Sequence, residues 1–224
     1  MKILLSRHGN TFSPGEPVVC AGAQNDLPLV ASGKTQAEKL AEYLKQLHII
    51  PAAIYCSPLQ RTIEYAQIVI DRISQDRDTM DTSGATHASP LRPTIDPRLN
   101  ELDYGDWTGL TTPEIIAKFG HADFEHWEKN SQWPTMGNWG SSEKEIIQDV
   151  LSFATELSQQ YTPDDTVLVI TSNGRLRYFL TLIPNAFEQH IQTQTFKVAT
   201  GNICEVNYQN KRWSINFWNI HPRP

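Results

Sequence analysis

Short runs of consecutive apolar residues punctuate the chain, and longer stretches between them place apolar positions at helical spacing. Residues 2–6 (around Ile3-Leu4-Leu5), Ala53-Ile54-Tyr55-Cys56 and Thr166 to Thr171 read as strands. An uninterrupted apolar run of that length suits a strand covered on both faces. Ser32 to His48 predicts a helix with Ser32 as N-cap and Ala37, Leu40, Ala41, Leu44 and Leu47 on one face. Ser57-Pro58-Leu59-Gln60 predicts a second helix start, with serine as cap, proline in the first turn and Gln60 closing a capping box. That helix carries Tyr65, Ile68, Val69 and Arg72 and is expected to fade near Asp76; Glu143 to Gln160 predicts another.

Thr94 to Leu99 is a further strand candidate, and Cys204 to Tyr208 with Trp213 to Trp218 predict a hairpin across Gln209-Asn210-Lys211. Strands alternating with helices imply a three-layer α/β/α arrangement with a mainly parallel central sheet. Residues 76–93 are polar and broken by Gly84, Pro90 and Pro93, which predicts an exposed, mobile loop. Residues 105–141 differ in character, holding Gly105, Gly109, Gly120, Gly137 and Gly140 with Trp107, Trp127, Trp133 and Trp139. They are expected to form a cap-like insertion over the sheet edge. Neither repeats nor a domain-scale linker is visible, so residues 1–224 are expected to form a single domain.

Composition narrows the functional classes. At 39% hydrophobic and 20% charged, the chain is that of an ordinary globular protein. No apolar run approaches membrane-spanning length, and the first apolar stretch is too short for a signal peptide. A cytoplasmic protein with no membrane partner is therefore expected. The net charge of −6 argues against non-specific nucleic-acid binding while leaving room for a locally basic pocket. Cys20, Cys56 and Cys204 form neither a C-x-x-C pair nor a disulfide framework, and Cys56 and Cys204 read as small buried hydrophobes.

Arg7-His8-Gly9 follows the first apolar run directly. It can set a guanidinium and an imidazole at the C-terminal edge of a strand, where open α/β sheets bind ligands. Arginine's planar fork suits phosphate, histidine can be neutral and nucleophilic near pH 7, and glycine permits close backbone approach. Three further stretches carry compatible chemistry. In Cys56-Ser57-Pro58-Leu59-Gln60-Arg61-Thr62, Arg61 falls in the first turn of a helix whose positive end favours an anion. The others run from Leu99 through Glu101 and Asp106 to Gly109, and from Thr171 through Ser172-Asn173-Gly174-Arg175 to Arg177.

In this order and spacing the four stretches resemble the histidine phosphatase superfamily, also called phosphoglycerate-mutase-like. Asp26-Leu27-Pro28-Leu29 with Gly33 and Gln36-Ala37 matches the segment that follows the first motif in that family. The resemblance spans nearly the whole chain. It implies that His8 takes a phosphoryl group to form a phosphohistidine. Arg7 and Arg61 would hold the phosphate oxygens. Glu101 would protonate the leaving oxygen and then activate water. The expected set is His8 and Glu101 as catalytic residues, with Arg7, Arg61, Asn10, Asn173 and Gly174 around the phosphate and with no metal and no cofactor. Such a set is chemically coherent: the ester's negative charge must be offset before a nucleophile approaches, and an alkoxide needs a proton to leave.

The chain departs from the family pattern at two places. The fourth motif normally supplies a second histidine, and here the position is Asn173. An amide keeps a donor but carries no positive charge. Loss of one preorganised donor costs about 10²–10³ in turnover, against enhancements of up to ~10²¹ available to phosphomonoester hydrolysis. Activity can therefore survive the change. Asn-Gly is also a strong hairpin dipeptide, so antiparallel strands across Asn173-Gly174 are an alternative to a strand–turn–helix. His121 or His126 could fill the missing role, though nothing in the sequence places them there. Where many family members carry Gly-Glu-Ser before the next helix, this chain reads Gly140-Ser141-Ser142-Glu143.

Ser32-Gly33-Lys34-Thr35 mimics the end of a P-loop but lacks its leading glycine and strand. Leu102 and Asp103 follow Glu101, with Asp106 beyond, and these acidic positions disfavour a bisphosphoglycerate. The expectation is a phosphomonoesterase acting on a small phosphorylated metabolite, with aromatic residues between Trp127 and Trp139 suggesting a partly apolar organic group. A phosphate-binding member with weakened or no catalysis, and a phosphoglycerate-type mutase, remain as alternatives.

Overall fold

The computed structural model describes residues 1–80 and 91–223, the side chains of 76–80 excepted. Among the described residues the strands are β1 (Lys2–Arg7), β2 (Ala53–Cys56), β3 (Pro93–Ile95), β4 (Thr166–Thr171), β5 (Ile203–Gln209) and β6 (Arg212–Ile220). The helices are α1 (Ala31–Gln46), α2 (Gln60–Met80), α3 (Thr112–Phe119), α4 (His121–Asn130), α5 (Glu143–Gln160), the single turn α6 (Asn173–Leu176) and α7 (Ala186–Gln192). One sheet has the order β3-β2-β4-β1-β5-β6. β3, β2, β4 and β1 run parallel, whereas β5 and β6 continue the sheet antiparallel.

The two-residue alternation of a strand explains the layering. Ile3, Leu5, Val167 and Val169 point to one face and pack with Phe153 and Leu157 of α5. Leu4, Leu168 and Ile170 point to the other and pack with Leu40 and Leu44 of α1 and with Tyr65 and Val69 of α2. Ile3–Leu5 of β1 and Val167–Ile170 of β4 are therefore apolar without interruption because both faces are covered. Their C-terminal ends lie side by side, so Arg7 registers with Thr171, and the next residue, His8, donates its backbone N–H to Thr171 O at 3.1 Å. Asn173-Gly174 opens α6 directly after β4, which makes this segment a strand–turn–helix and excludes the hairpin.

Several local expectations are corrected. Helix α1 begins at Ala31 with Val30 in the cap position, and Ser32 lies inside it. The start is fixed by tertiary contact: Val30 N donates to Asn10 O, and Ser32 Oγ accepts from Asn10 Nδ2. Gln60 closes no capping box, because its side chain turns to Glu64 while Asp26 Oδ1 takes its N–H at 2.7 Å. Ser57 Oγ does accept from Leu59 N, at 3.3 Å. Helix α2 continues to Met80 rather than fading near Asp76, and residues 81–90 of the expected loop lie outside the described residues. The strand expected over Thr94–Leu99 is β3, displaced to Pro93–Ile95, since Pro97 offers no N–H and Asp96 caps a 3₁₀ turn over Pro97–Leu99. The terminal hairpin closes on Asn210 and Lys211, both with positive φ, as a two-residue loop requires.

Residues 105–141 form α3, α4 and their connections. Trp139 is the hub of an edge-to-face cluster with Tyr104, Trp107, Trp127 and Trp133, at centroid separations of 4.8–5.2 Å. These rings extend the core of the α5 face, and Tyr104, Trp107 and Trp127 among them line a cavity at the C-terminal edge of the sheet. Cys56 and Cys204 are buried. No helix among the described residues is long and apolar enough to cross a membrane.

Candidate active site

His8 stands where β1 leaves the sheet. The chain can turn there because Gly9 packs directly on the backbone of α1: a Cβ on Gly9 would lie 2.3 Å from Gly33 O. The imidazole is buried at 6% exposure. Its Nδ1 lies 2.7 Å from Gly9 O, and a carbonyl can only accept, so Nδ1 carries the proton and Nε2 keeps its lone pair. Burial and the neighbouring Arg61 and Arg7 guanidiniums push its pKa well below its ordinary value of 6.5. His8 is therefore a neutral imidazole at pH 7.

Arg61, in the first turn of α2, is 2% exposed and donates Nε to His8 Nε2 at 3.2 Å. Its other nitrogens donate to Gly22 O at 2.8 Å and Asn25 O at 3.1 Å. Asp26 binds the start of α2, so the segment expected from the Asp-Leu-Pro-Leu match holds the helix that holds Arg61. Gln36 of the same match receives Asn10 N and donates to Thr200 O. Arg7 Nη1 donates to Val198 O at 2.6 Å, whereas its buried Nε has no partner among the described residues.

Glu101 is brought in by the turn after β3 and is 8% exposed. Its carboxylate oxygens accept from Leu102 N at 2.9 Å and from Gly174 N and Arg175 N at 3.2 Å each. A side chain at 174 would prevent this approach: its Cβ would sit 2.2 Å from Glu101 Oε1 and 2.5 Å from the Tyr104 hydroxyl. The Gly174 N–H is thus directed to Glu101. Asn173 Oδ1 accepts from Val198 N at 2.8 Å, and its amide nitrogen, without a protein partner among the described residues, belongs to a group lining the cavity. Asn10 also lines the cavity, with its side chain engaged by Ser32 and Thr200.

These groups border a cavity of about 720 Å³. Arg7, His8, Asn10, Arg61, Glu101 and Asn173 all line it, so residues from four separate stretches of sequence converge. Two chemically important lining residues, Arg177 and Tyr104, were not assigned to the site from sequence. Arg177 is 2% exposed, donates to Ser131 Oγ at 2.8 Å and to Asn173 O at 3.3 Å, and lies 4.6 and 4.9 Å from the ring centroids of Trp127 and Phe196. Tyr104 also lines the cavity, its phenol pushed well above its ordinary pKa by burial and by Glu101. The arginine signal was present in the fourth motif, but spacing could not separate Arg177 from Arg175. Arg175 turns away and pairs with Asp149 and Asn100 O.

Other candidates fall outside. His126 is exposed and His121 pairs with Glu125. Glu143 and Trp133 border a separate recess, and Trp107 with Trp127 are the tryptophans that line the main cavity. Cys20 lines it too, but burial pushes its thiol up to about 12, which keeps it from serving as a thiolate nucleophile.

The chain is similar to several known proteins. The 2,3-bisphosphoglycerate-dependent phosphoglycerate mutase of Bifidobacterium longum (strain DJO10A) is 25% identical over 243 residues, covering 99% of this chain and 90% of that protein. Phosphoglycerate mutase 1 of Saccharomyces cerevisiae is 29% identical over 133 residues, covering 59% of this chain and 48% of its own length. Among solved structures, the α-ribazole phosphatase of Shigella flexneri superposes with a TM-score of 0.71 at 23% identity, over 100% of this chain and 98% of that one. The mycobacterial glucosyl-3-phosphoglycerate phosphatase superposes with a TM-score of 0.75 at 23% identity, over 97% and 98%. The family model described as histidine phosphatase superfamily (branch 1) matches residues 3–221. The chain belongs to that superfamily.

Proposed function

We propose that this protein is a phosphomonoesterase that works through a phosphohistidine at His8. The observation that carries this reading is the neutral His8 ring, whose Nε2 lone pair faces Arg61 in a cavity also lined by Arg7 and Glu101. His8 Nε2 attacks phosphorus in line, and the bond from phosphorus to the alcohol oxygen breaks. Arg7 and Arg61 offset the charge on the equatorial oxygens. Glu101 delivers a proton to the departing alkoxide, then takes one from the water that cleaves the phosphorus–nitrogen bond. Inorganic phosphate leaves and His8 returns to its neutral form.

Arg177 answers the substitution at Asn173. A histidine there could supply positive charge, and asparagine cannot; Arg177, bonded to the Asn173 carbonyl and lining the same cavity, brings a permanent charge instead. Both remain part of the proposed phosphate cup. Asn173 is also what favours the second reading, a phosphate-ligand-binding protein without turnover. Assay on a generic aryl phosphate and a phosphomonoester panel, beside His8→Ala, separates the two. Phosphate release lost in the variant supports the esterase. Phosphate binding with no release above background supports the binder. Formation of a phosphoryl-transfer product from phosphoglycerate would instead favour a mutase.

A further inference from the structure

We infer that the alcohol half of the substrate is uncharged and apolar, a monoester of an aliphatic or aromatic alcohol rather than of a sugar acid or a second phosphate; this rests on the phosphomonoesterase reading. The lining cations gather at one end of the cavity, with Glu101 among them. The cations are Arg7, Arg61 and Arg177, from β1, α2 and the turn after α6. Most of the remaining wall is built by residues 11–22 and 107–128; the apolar side chains Val18, Val19, Leu110, Ile115, Phe124 and Trp127 lie there, with hydroxyls of Thr11, Ser13 and Thr112 between them.

The charged groups in that wall are carboxylates. Glu16 accepts from Ser13 N, and Glu128 already pairs with Lys197 at 2.6 Å. A second anion on the substrate would meet these carboxylates, and the cation nearest this wall, Arg177 over the Trp127 ring, is the one assigned to the phosphate cup. An alkyl or aryl group would instead cover apolar surface. Val18 is 66% exposed at this wall, so a ligand can still remove much of its side chain from water.

The test keeps leaving-group chemistry constant by using linear alkyl phosphates, ethyl to hexyl, whose alcohols are nearly equal in acidity. Alkylphosphonates of the same lengths, which cannot transfer their phosphorus group, report binding alone by calorimetry. The expected result is a rise in kcat/KM and a fall in phosphonate Kd of about threefold to fourfold per methylene, with hexyl phosphate preferred over glycerol 3-phosphate and 3-phosphoglycerate. Val18→Asp should flatten both trends. Turnover with no chain-length trend, or with glycerol 3-phosphate or 3-phosphoglycerate preferred, overturns the inference and leaves the esterase standing. A phosphonate trend without turnover of any ester overturns the esterase and keeps an apolar ligand for this wall. Absence of both overturns both.

Discussion

The Nε–H of Arg61 is directed at the Nε2 lone pair of His8, 3.2 Å away, while the opposite ring nitrogen is tied to Gly9 O at 2.7 Å. The imidazole is held in one tautomer with its free electron pair next to the guanidinium that would steady a phosphoryl group. The remaining Arg61 nitrogens bind Gly22 O and Asn25 O, so one side chain fixes the proposed nucleophile and the loop opposite it.

Arg61→Lys should lower kcat/KM on an aryl phosphate by about 10²–10³ despite retaining the charge. A lysine ammonium cannot reach His8, Gly22 and Asn25 in the fork geometry of a guanidinium. A folded variant within about tenfold of the wild type would remove Arg61 from the phosphate cup.

His8 should titrate well below 6.5, because burial, Arg61 and Arg7 all disfavour its charged form. In the unfolded chain the ring takes a proton as pH falls through about 6.5, whereas in the folded protein it does not. The unfolded state then binds more protons, so stability is full above that pH and declines below it until the folded-state pKa is reached. The loss attributable to His8 is up to about 1.4 kcal/mol per pH unit. Ring-carbon NMR, with His8 assigned through His8→Asn, should show a neutral imidazole through pH 6.5, and denaturation of His8→Asn should show a shallower acid decline. A His8 titration near 6.5 would contradict this electrostatic picture.

Gly174→Ala should impair both halves of the fourth motif. The added methyl would collide with Glu101 Oε1 and the Tyr104 hydroxyl, forcing α6 away from Glu101. Overpacking of this kind costs about 1–3 kcal/mol, and displacement of the proposed acid should lower kcat about 10²-fold. Chemical denaturation and steady-state kinetics on the same preparation check both, and wild-type kcat would show that Glu101 does not need this contact.

Asn173 and Arg177 should couple. Arg177→Met alone is expected to reduce kcat/KM about 10²-fold, whereas in an Asn173→His background the loss should shrink, because an imidazolium can replace part of the missing charge. Asn173→His alone should raise turnover through the positive charge of its imidazolium, even though both ring nitrogens are then donors and the Val198 N–H loses the acceptor it has in Asn173 Oδ1. A double-mutant cycle measures this; strict additivity would show that Arg177 and residue 173 do not share a task.

The apolar runs made the sheet legible, since strands covered on both faces leave no ambiguity about burial. β1, β2, β4 and α5 lie where patterning puts them. What patterning missed was set from outside the segment concerned. Helix α1 starts at Ala31 because Asn10 receives Val30, and no local cap at Ser32 competes with that contact. At the site, residue types announced His8, Arg7, Arg61 and Glu101. Arg177 stayed hidden because its position against Trp127, Phe196 and Asn173 depends on how the turn after α6 packs beneath α4. The aromatic stretch was visible, but not that Trp127 would face the cavity while Trp133 and Trp139 back it.

The most direct measurement is phosphate release from an aryl phosphate by purified His8→Ala beside the wild type, with folding verified for both. With His8 as nucleophile, the variant should lose at least about 10⁴-fold in kcat. A folded His8→Ala protein that keeps turnover within about tenfold of the wild type would contradict the assignment at its root.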